Sequence, residues 1–172
     1  EYCERQRYTT SLEYMIEEYG EEEGTKKYKD FCYYRTNSCG SRSYSLISQQ
    51  CFNTIYSHIN TTNKIYYHDL NHEYSIINNK TAYNLDFYDK TKNLVIEFLG
   101  DYWHANPKRY NSDETIIHHQ KSICVKDIWK YDKQRKRNIC KVLNNPIYIE
   151  VWESNWKENP DKVMEEILKY YN

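Results

Sequence analysis

The chain has 172 residues and a formal net charge of −1, and hydrophobic residues make up 39% of it. This length accommodates one domain of ordinary size with a small appendage, and 20 tyrosines supply apolar area for a core. The balanced charge excludes a uniformly basic nucleic-acid-binding protein. Six cysteines without a Cys-x-x-Cys pair, together with the lack of a signal peptide or membrane-spanning run, predict an intracellular protein without a membrane partner.

The N-terminal part of the chain predicts a small helical segment. Ser11 is a typical N-cap and Gly20 a typical stop for a first helix, and residues 24–31 predict a second. Residues 1–7 recur loosely as residues 30–35, at a spacing typical of short helical repeats. We therefore predict a partial repeat segment over residues 1–43, taken from a longer protein, with a boundary in the Ser-, Gly- and Asn-rich end of that segment.

The remaining residues, 44–172, predict an α/β domain. The hydrophobic pattern indicates an amphipathic helix over 45–59, strands over 73–77, 83–88 and 94–99, a loop or short helix over 106–122, a long helix over 125–143, a strand over 146–152 and a last helix over 160–171. This order describes a mixed central sheet flanked by helices.

Two carboxylates interrupt the predicted strands. Asp86 lies between Leu85 and Phe87, where aspartate is disfavoured; an exposed sheet edge is the alternative explanation for it. Glu97 interrupts the apolar run Leu94–Leu99. A carboxylate there must be paired, hydrogen-bonded or bound to a metal, because an isolated buried charge costs several kcal/mol. Carboxylates on neighbouring strands are able to hold a divalent cation.

A histidine and a third carboxylate extend this candidate site. His104 follows the strand that carries Glu97, and histidine is suited to proton transfer near neutral pH. Asp132 falls on the apolar stripe of the helix over 125–143, so it faces the sheet. It can accept the second ring proton of a histidine there, and His104 is the candidate. A neighbouring lysine is the alternative partner of Asp132.

The charged residues are unevenly distributed, with an acidic block near the N-terminus and a basic stretch over 121–141. This asymmetry indicates a local anion-binding face, with a solvated helix surface as the alternative. The predicted DNA-binding residues on this helix are Lys126, Lys130, Lys133 and Arg137. A zinc site built from Cys32, Cys39 and a histidine is a further hypothesis, and His118 with His119 fits an ordinary surface pair.

Residues 97–104, Glu-Phe-Leu-Gly-Asp-Tyr-Trp-His, carry a resemblance to a known family. With Leu85-Asp-Phe-Tyr before them and Asn106-Pro after them, they resemble the very-short-patch-repair (Vsr)-like branch of the PD-(D/E)XK nucleases. More narrowly, they resemble the phage and viral homing endonucleases of the EDxHD group. Two later pieces, Ile128-Trp-Lys-Tyr-Asp and Val151-Trp-Glu, fit the same pattern in the same order, so the resemblance covers about residues 44–171.

The resemblance implies a restriction-endonuclease-like fold and a role for each residue of the candidate site. It implies that Asp86, Glu97 and the main-chain carbonyl of Phe98 bind Mg²⁺ or Mn²⁺. His104 matches the histidine that manages the proton of the attacking water or of the leaving group. Asp132 matches the aspartate that orients this histidine.

The chain departs from the family pattern at three places. The lysine of the parent nuclease pattern falls at Leu99, so the histidine must serve as the base. The glutamate that the group carries on its first helix falls at Gln50; either Glu73 substitutes for it or metal affinity is reduced. The zinc ligands of the repair enzymes correspond to residues such as Asp101 and Asn106, so we expect no zinc there.

These observations predict a metal-dependent endonuclease that cuts double-stranded DNA, as a site-specific homing endonuclease. Trp103 is expected to wedge or stack against bases, and a homodimer is expected if both strands are cut. A viral protein of this kind acts in the host cytoplasm or nucleus. One alternative is a catalytically inactive DNA-binding or assembly module, in which Gln50 marks lost activity. Another is a nicking repair or junction-resolving nuclease, which shares the site and differs in substrate.

Overall fold

The structure, a computed structural model, describes residues 11–37, 45–59, 62–78, 80–118 and 120–171, with only the backbone for 32–37. The predicted repeat at residues 1–7, most of the predicted boundary, the side chains of Cys32 and Cys39, and His119 lie outside this description. In chain order, the described residues form α1 (Leu12–Tyr19), α2 (Glu21–Asn37), α3 (Leu46–Ser57), β1 (Ile65–Tyr67), β2 (Tyr74–Asn78), β3 (Thr81–Leu85), β4 (Phe87–Asp89), β5 (Leu94–Leu99), β6 (Thr115–His118), β7 (Lys121–Cys124), α4 (Val125–Val142), β8 (Ile147–Trp152), α5 (Glu153–Glu158) and α6 (Pro160–Leu168).

The chain divides into two compact units, of which the first joins the part before residue 44 to Ser75–Asn84. Helix α1 begins where the sequence predicts, because the Ser11 hydroxyl accepts the N–H of Tyr14 at 3.2 Å. It ends at Gly20, whose φ of 82° is left-handed. Helix α2 starts directly afterwards, and a Cβ at Gly24 would collide with the main-chain carbonyl of Met15 on α1. Glycine therefore allows the two helices to approach closely.

The inclusion of Ser75–Asn84 in this unit is a departure from the predicted division at residue 43. These residues form most of the two-stranded sheet of β2 and β3. Within the unit, Lys80 at the turn of the hairpin pairs with Glu13 of α1, and its carbonyl accepts the Tyr28 hydroxyl of α2 at 3.1 Å. The hydrophobic pattern of an individual helix or strand does not predict such long-range contacts.

The second unit contains Tyr44–Tyr74 and Leu85–Asn172 and is built on a four-stranded sheet in the order β1-β4-β5-β8. Strands β1, β4 and β5 pair antiparallel, and β8 pairs parallel with β5. A parallel pair requires a crossover connection, and α4 lies within that connection. The prediction of a mixed α/β domain with a mixed central sheet flanked by helices is confirmed.

The core of the second unit lies between the sheet and helices α3, α5 and α6. Phe52 of α3 is fully buried, and its ring lies 5.5 Å from that of Phe87 on β4, which also stacks on Tyr67 of β1. Burial of a side chain of this size stabilises the fold by about 2–3 kcal/mol. Consecutive residues of strand β5, from Leu94 to Phe98, are buried, so both faces of the strand are covered. It therefore spans the predicted bounds, Leu94–Leu99.

Two of the predicted elements are wrong in detail. The strand over 83–88 is interrupted by a bend at Asp86, so that β3 joins the hairpin with β2 and β4 joins the central sheet. The loop or short helix predicted over 106–122 contains strand β6 and the first half of β7, which pair as an antiparallel hairpin. Ile116 and Ile123 of this hairpin pack on a small cluster around Val125. An apolar contact from only a few residues on each strand leaves little periodicity in the sequence.

Two short elements were missed, strand β1 and helix α5. Three residues of strand and six of helix are too short for a periodic pattern to be recognised. Among the described residues, no helix is both long and apolar enough to cross a membrane.

Candidate active site

The bend at Asp86 turns this carboxylate toward the neighbouring strand. Its Oδ2 atom accepts the main-chain N–H of Phe98 on β5 at 2.9 Å. Burial raises the pKa of Asp86 above its ordinary value, whereas the charge of Arg135, the Phe98 amide and the charge of His104 act in the opposite direction. Asp86 thus lies directly after the last residue of β3, and its side chain contacts strand β5 of the four-stranded sheet.

Glu97 on β5 forms an ion pair that the sequence analysis did not predict. Its side chain is 6% exposed, and its Oε2 atom accepts a hydrogen bond from Nη2 of Arg135 on α4 at 2.7 Å. Its other oxygen, Oε1, is buried and has no hydrogen-bond partner among the described residues. Glu97 is therefore paired through one oxygen, and the second oxygen is left for a ligand.

Glu73, which lies directly before β2, belongs electrostatically to the same cluster. Burial, together with the charges of Asp86 and Glu97 and against that of Arg135, raises its pKa from 4.5 to about 8. Burial also raises the pKa of Glu97 to about 7, against the effect of Arg135 and with that of Asp86. Three carboxylates thus share one guanidinium, which leaves an excess of two negative charges when all three are ionised.

Arg135 is a fixed cation in this cluster. Burial acts to lower its pKa, but Glu97 and Asp86 raise it above the ordinary value, so the guanidinium stays charged. We did not predict Arg135 as a site residue, although the signal was present. It lies three residues after Asp132 and four before the buried Ile139, on the helix stripe that faces the sheet.

His104 and Asp132 are joined by a hydrogen bond. Nδ1 of His104 lies 2.9 Å from Oδ2 of Asp132, and both side chains are partly exposed. Aspartate is an acceptor, so Nδ1 carries the proton and Nε2 is the nitrogen left to bind or release one. The carboxylate of Asp132 thereby selects the tautomer and fixes the orientation of the ring.

A buried hydrogen-bond cluster, which we call the Asp101 clasp, holds the turn that carries His104. Oδ1 of Asp101 accepts hydrogen bonds from Nδ2 of Asn106 at 2.7 Å and from the Ser154 hydroxyl at 3.1 Å. Its other oxygen pairs with Arg109 at 3.2 Å. The clasp connects the turn to the start of α5. Local sequence patterns do not predict this connection, because Ser154 is distant from Asp101 in the sequence.

The same turn is also anchored to α4. The carbonyl of Ala105 accepts the indole N–H of Trp129 on α4 at 2.7 Å. Ala105 is fully buried and has a left-handed φ of 47°, a conformation that costs an alanine about 1 kcal/mol. Contacts with α4 and α5 therefore hold the turn in a backbone conformation that its sequence alone does not favour.

Trp103 and the basic residues of α4 lie at the surface. Trp103 is 51% exposed, with its ring edge-on to those of Tyr102 and His118 at 5.2 and 5.4 Å. Nε2 of His118 also lies 3.0 Å from the carbonyl of Trp103. All four side chains proposed to bind DNA are exposed: Lys126, Lys130, Lys133 and Arg137. They are accessible to a large anionic ligand.

Two further expectations concern the side chain of Gln50 and the main-chain carbonyl of Phe98. Gln50 lies on α3 with an exposed side chain, while its neighbour Gln49 is buried and accepts the N–H of Asp69. At Phe98 the contact to Asp86 is made by the main-chain N–H. Roles for Gln50 and for the Phe98 carbonyl stay predictions.

The assembled group combines a carboxylate cluster, whose negative charges outnumber its one guanidinium, with a histidine oriented by an aspartate. Within the described residues, no three His, Cys, Asp or Glu side chains converge as a ready-made metal cage. Mg²⁺ does not require one, because it commonly binds through one or two carboxylates together with water and substrate phosphate. The arrangement is chemically suited to bind a divalent cation and to move a proton next to it. No family model, curated protein or solved structure matches this chain.

Proposed function

We propose that this protein is a metal-dependent endonuclease that hydrolyses phosphodiester bonds in double-stranded DNA. The observation that carries the proposal is the hydrogen bond between His104 and Asp132 beside the cluster of Asp86 and Glu97. Catalysis of phosphodiester hydrolysis needs a cation to stabilise negative charge and a group to manage the proton of water. These residues offer both.

The order of the elements supports assignment to the Vsr-like branch of the PD-(D/E)XK nucleases. A helix, α3, precedes three antiparallel strands, and α4 then leads into a parallel fourth strand. The two carboxylates come from β5 and from the bend before β4, and the partner of the histidine comes from α4. This distribution agrees with the positions that the sequence resemblance assigns, and we propose the fold on that basis.

Asp86 and Glu97 would hold the cation, with Glu73 as a third carboxylate. Two observations support this role: the Oε1 atom of Glu97 has no hydrogen-bond partner among the described residues, and burial raises the pKa of all three carboxyl groups even though Arg135 acts in the opposite direction. When bound, Mg²⁺ or Mn²⁺ supplies Lewis-acid stabilisation of the phosphate charge.

His104 would accept or return the proton of the attacking water through Nε2, because Nδ1 is engaged by Asp132. Asp132 stabilises the charge that the ring acquires when it takes up this proton. The exposed cations of α4 would neutralise DNA phosphates, so affinity should fall as salt concentration rises. Trp103, which is exposed on the His104 turn, would contact bases or sugars. A homodimer would supply two such sites if both strands are cut.

Gln50 favours a second candidate, a catalytically inactive DNA-binding or assembly module. It stands where the resemblance places a glutamate, and one oxygen of Glu97 is already engaged by Arg135. A nicking repair or junction-resolving nuclease uses the same residues on another substrate, so only the mapping of cleavage products separates it from a homing endonuclease.

The experiment is cleavage of long double-stranded DNA in the presence of Mg²⁺. We expect the parent chain to cut and the substitutions Asp86→Ala, His104→Ala and Asp132→Ala to reduce the rate by about a hundredfold or more, because such groups act as a unit. Two matched controls should cut normally. They are Asp127→Ala, at an exposed position of the helix that carries Asp132, and His72→Ala, at an exposed histidine. A parent chain that cuts nothing, or three site variants that cut like the controls, refutes the proposal.

A further inference from the structure

The ion pair between Arg135 and Glu97 is unlike the other ion pairs of α4. Glu97 and Glu150 are register partners on the parallel strands β5 and β8, and two consecutive cations of α4 bind them. Arg135 binds Glu97 at 2.7 Å, with both side chains largely buried, whereas Lys136 binds Glu150 at 3.1 Å near the surface. The chain therefore contains a buried pair and an adjacent exposed pair of the same charge type.

Arg135 and Asp132 lie one helical turn apart on α4, and each contacts a residue of the proposed site. Asp132 contacts His104, and Arg135 contacts Glu97. Helix α4 therefore fixes the orientation of both the proton-transferring side chain and a carboxylate of the cation cluster.

The hydrogen bond from Arg135 to Oε2 determines which oxygen of Glu97 is available to a ligand. Its Oε1 atom has no hydrogen-bond partner in the part of the chain that the structure describes, and leaving a buried carboxylate oxygen without a partner costs free energy. Groups that hydrogen-bond a metal-binding carboxylate hold it in the binding orientation, and their loss commonly weakens metal binding. The planar guanidinium is better suited to this than a lysine ammonium, which is a flexible point charge.

We propose that Arg135 is a positioning residue that holds Glu97 by Oε2 and thereby presents Oε1 to a divalent cation shared with Asp86. This inference rests on the proposed function, because it concerns the same cation site. The alternative is that Arg135 is a counter-ion that occupies the site and competes with the cation. The two roles predict opposite effects when the guanidinium is removed.

The test is binding of Mn²⁺ to the full chain without DNA, measured by electron paramagnetic resonance of the free ion. We compare the parent with Arg135→Met, Arg135→Lys and the matched control Lys136→Met. Both methionine variants lose one positive charge from the same helix, and long-range electrostatics alone would make each bind a cation more tightly. Weaker Mn²⁺ binding by Arg135→Met would therefore indicate that Arg135 positions Glu97.

We expect Arg135→Met to bind Mn²⁺ about 10–100-fold more weakly than the parent, Arg135→Lys to lie between them, and Lys136→Met to bind at least as tightly as the parent. Circular dichroism checks that each variant is folded. If Arg135→Met does not fold, Arg135→Lys decides the question, and we expect its binding to be several-fold weaker than that of the parent.

Equal or tighter binding by the deciding variant overturns the positioning role and leaves the proposed function intact. A parent chain that does not bind Mn²⁺ overturns the cation site and this inference together. The measurement on the parent therefore separates the two failures.

Discussion

Replacement of Glu73 by glutamine removes one negative charge from the carboxylate cluster with little change of shape. Burial and the charges of Asp86 and Glu97 raise the pKa of Glu73 from 4.5 to about 8 in the folded chain. The folded chain therefore holds a proton on Glu73 that the unfolded chain releases between these two pH values. Because the unfolded state binds fewer protons in this window, the free energy of unfolding falls as pH rises through it. The substitution should abolish that part of the pH dependence.

The size of the effect follows from the two pKa values of Glu73. One pKa unit corresponds to about 1.4 kcal/mol, so ionisation lowers the free energy of unfolding by about 4 kcal/mol between about pH 4 and about pH 8. Part of the side chain reaches solvent, and screening reduces the value, so we expect about 2 kcal/mol. For a chain of this size, that corresponds to about 6 °C in melting temperature.

Urea unfolding of the metal-free protein, followed by circular dichroism, measures this difference. Glu73→Gln should be about 2 kcal/mol more stable than the parent near pH 8 and equally stable near pH 4. Glu158→Gln, at an exposed position of α5, is the matched control and should follow the parent at both pH values. Mg²⁺ should stabilise the parent near pH 8, because a ligand of the folded state shifts the equilibrium toward it. A stability difference that does not change with pH refutes the reasoning.

Two further predictions concern Gln50 and the Asp101 clasp. Gln50→Glu should increase the rate of DNA cleavage at low Mg²⁺ concentration by about tenfold or more if this helix position belongs to the site. The matched control is Leu46→Glu, at an exposed position of the same helix, because Gln49 is buried and Asn53 hydrogen-bonds Asp69. An unchanged rate places Gln50 outside the site. Asp101→Asn should weaken the hydrogen bonds to Asn106 and Ser154 and lower the stability by about 1–3 kcal/mol, as measured by urea unfolding. A loss below a few tenths of a kcal/mol would contradict the clasp.

The sequence predicts those elements whose environment leaves a strong periodic pattern. Strand β5 is covered on both faces and therefore consists of an uninterrupted apolar run apart from Glu97. Helix α4 is amphipathic over its whole length, and its predicted start at Val125 is confirmed. Strand β1 and the hairpin of β6 and β7 are too short, or too exposed, to produce such a pattern.

The candidate site could be predicted in part, because its acidic residues are anomalous where they stand. Even in the sequence alone, a glutamate within an apolar strand and an aspartate on the apolar stripe of a helix stand out as unusual. The partners of these residues depend on tertiary structure. The pairing of Glu97 with Arg135 and the interactions of Ser154 with Asp101 join residues that are far apart in the chain, and no local pattern specifies them.

The most direct test of the central claim is single-turnover hydrolysis of double-stranded DNA by the parent and by Asp86→Asn. This substitution retains an acceptor for the Phe98 N–H and removes the charge that would bind the cation. We predict cleavage by the parent that depends on added Mg²⁺ or Mn²⁺ and is slowed by about a hundredfold or more in the variant. Cleavage at equal rates, or no cleavage by the parent with either ion, would contradict the account.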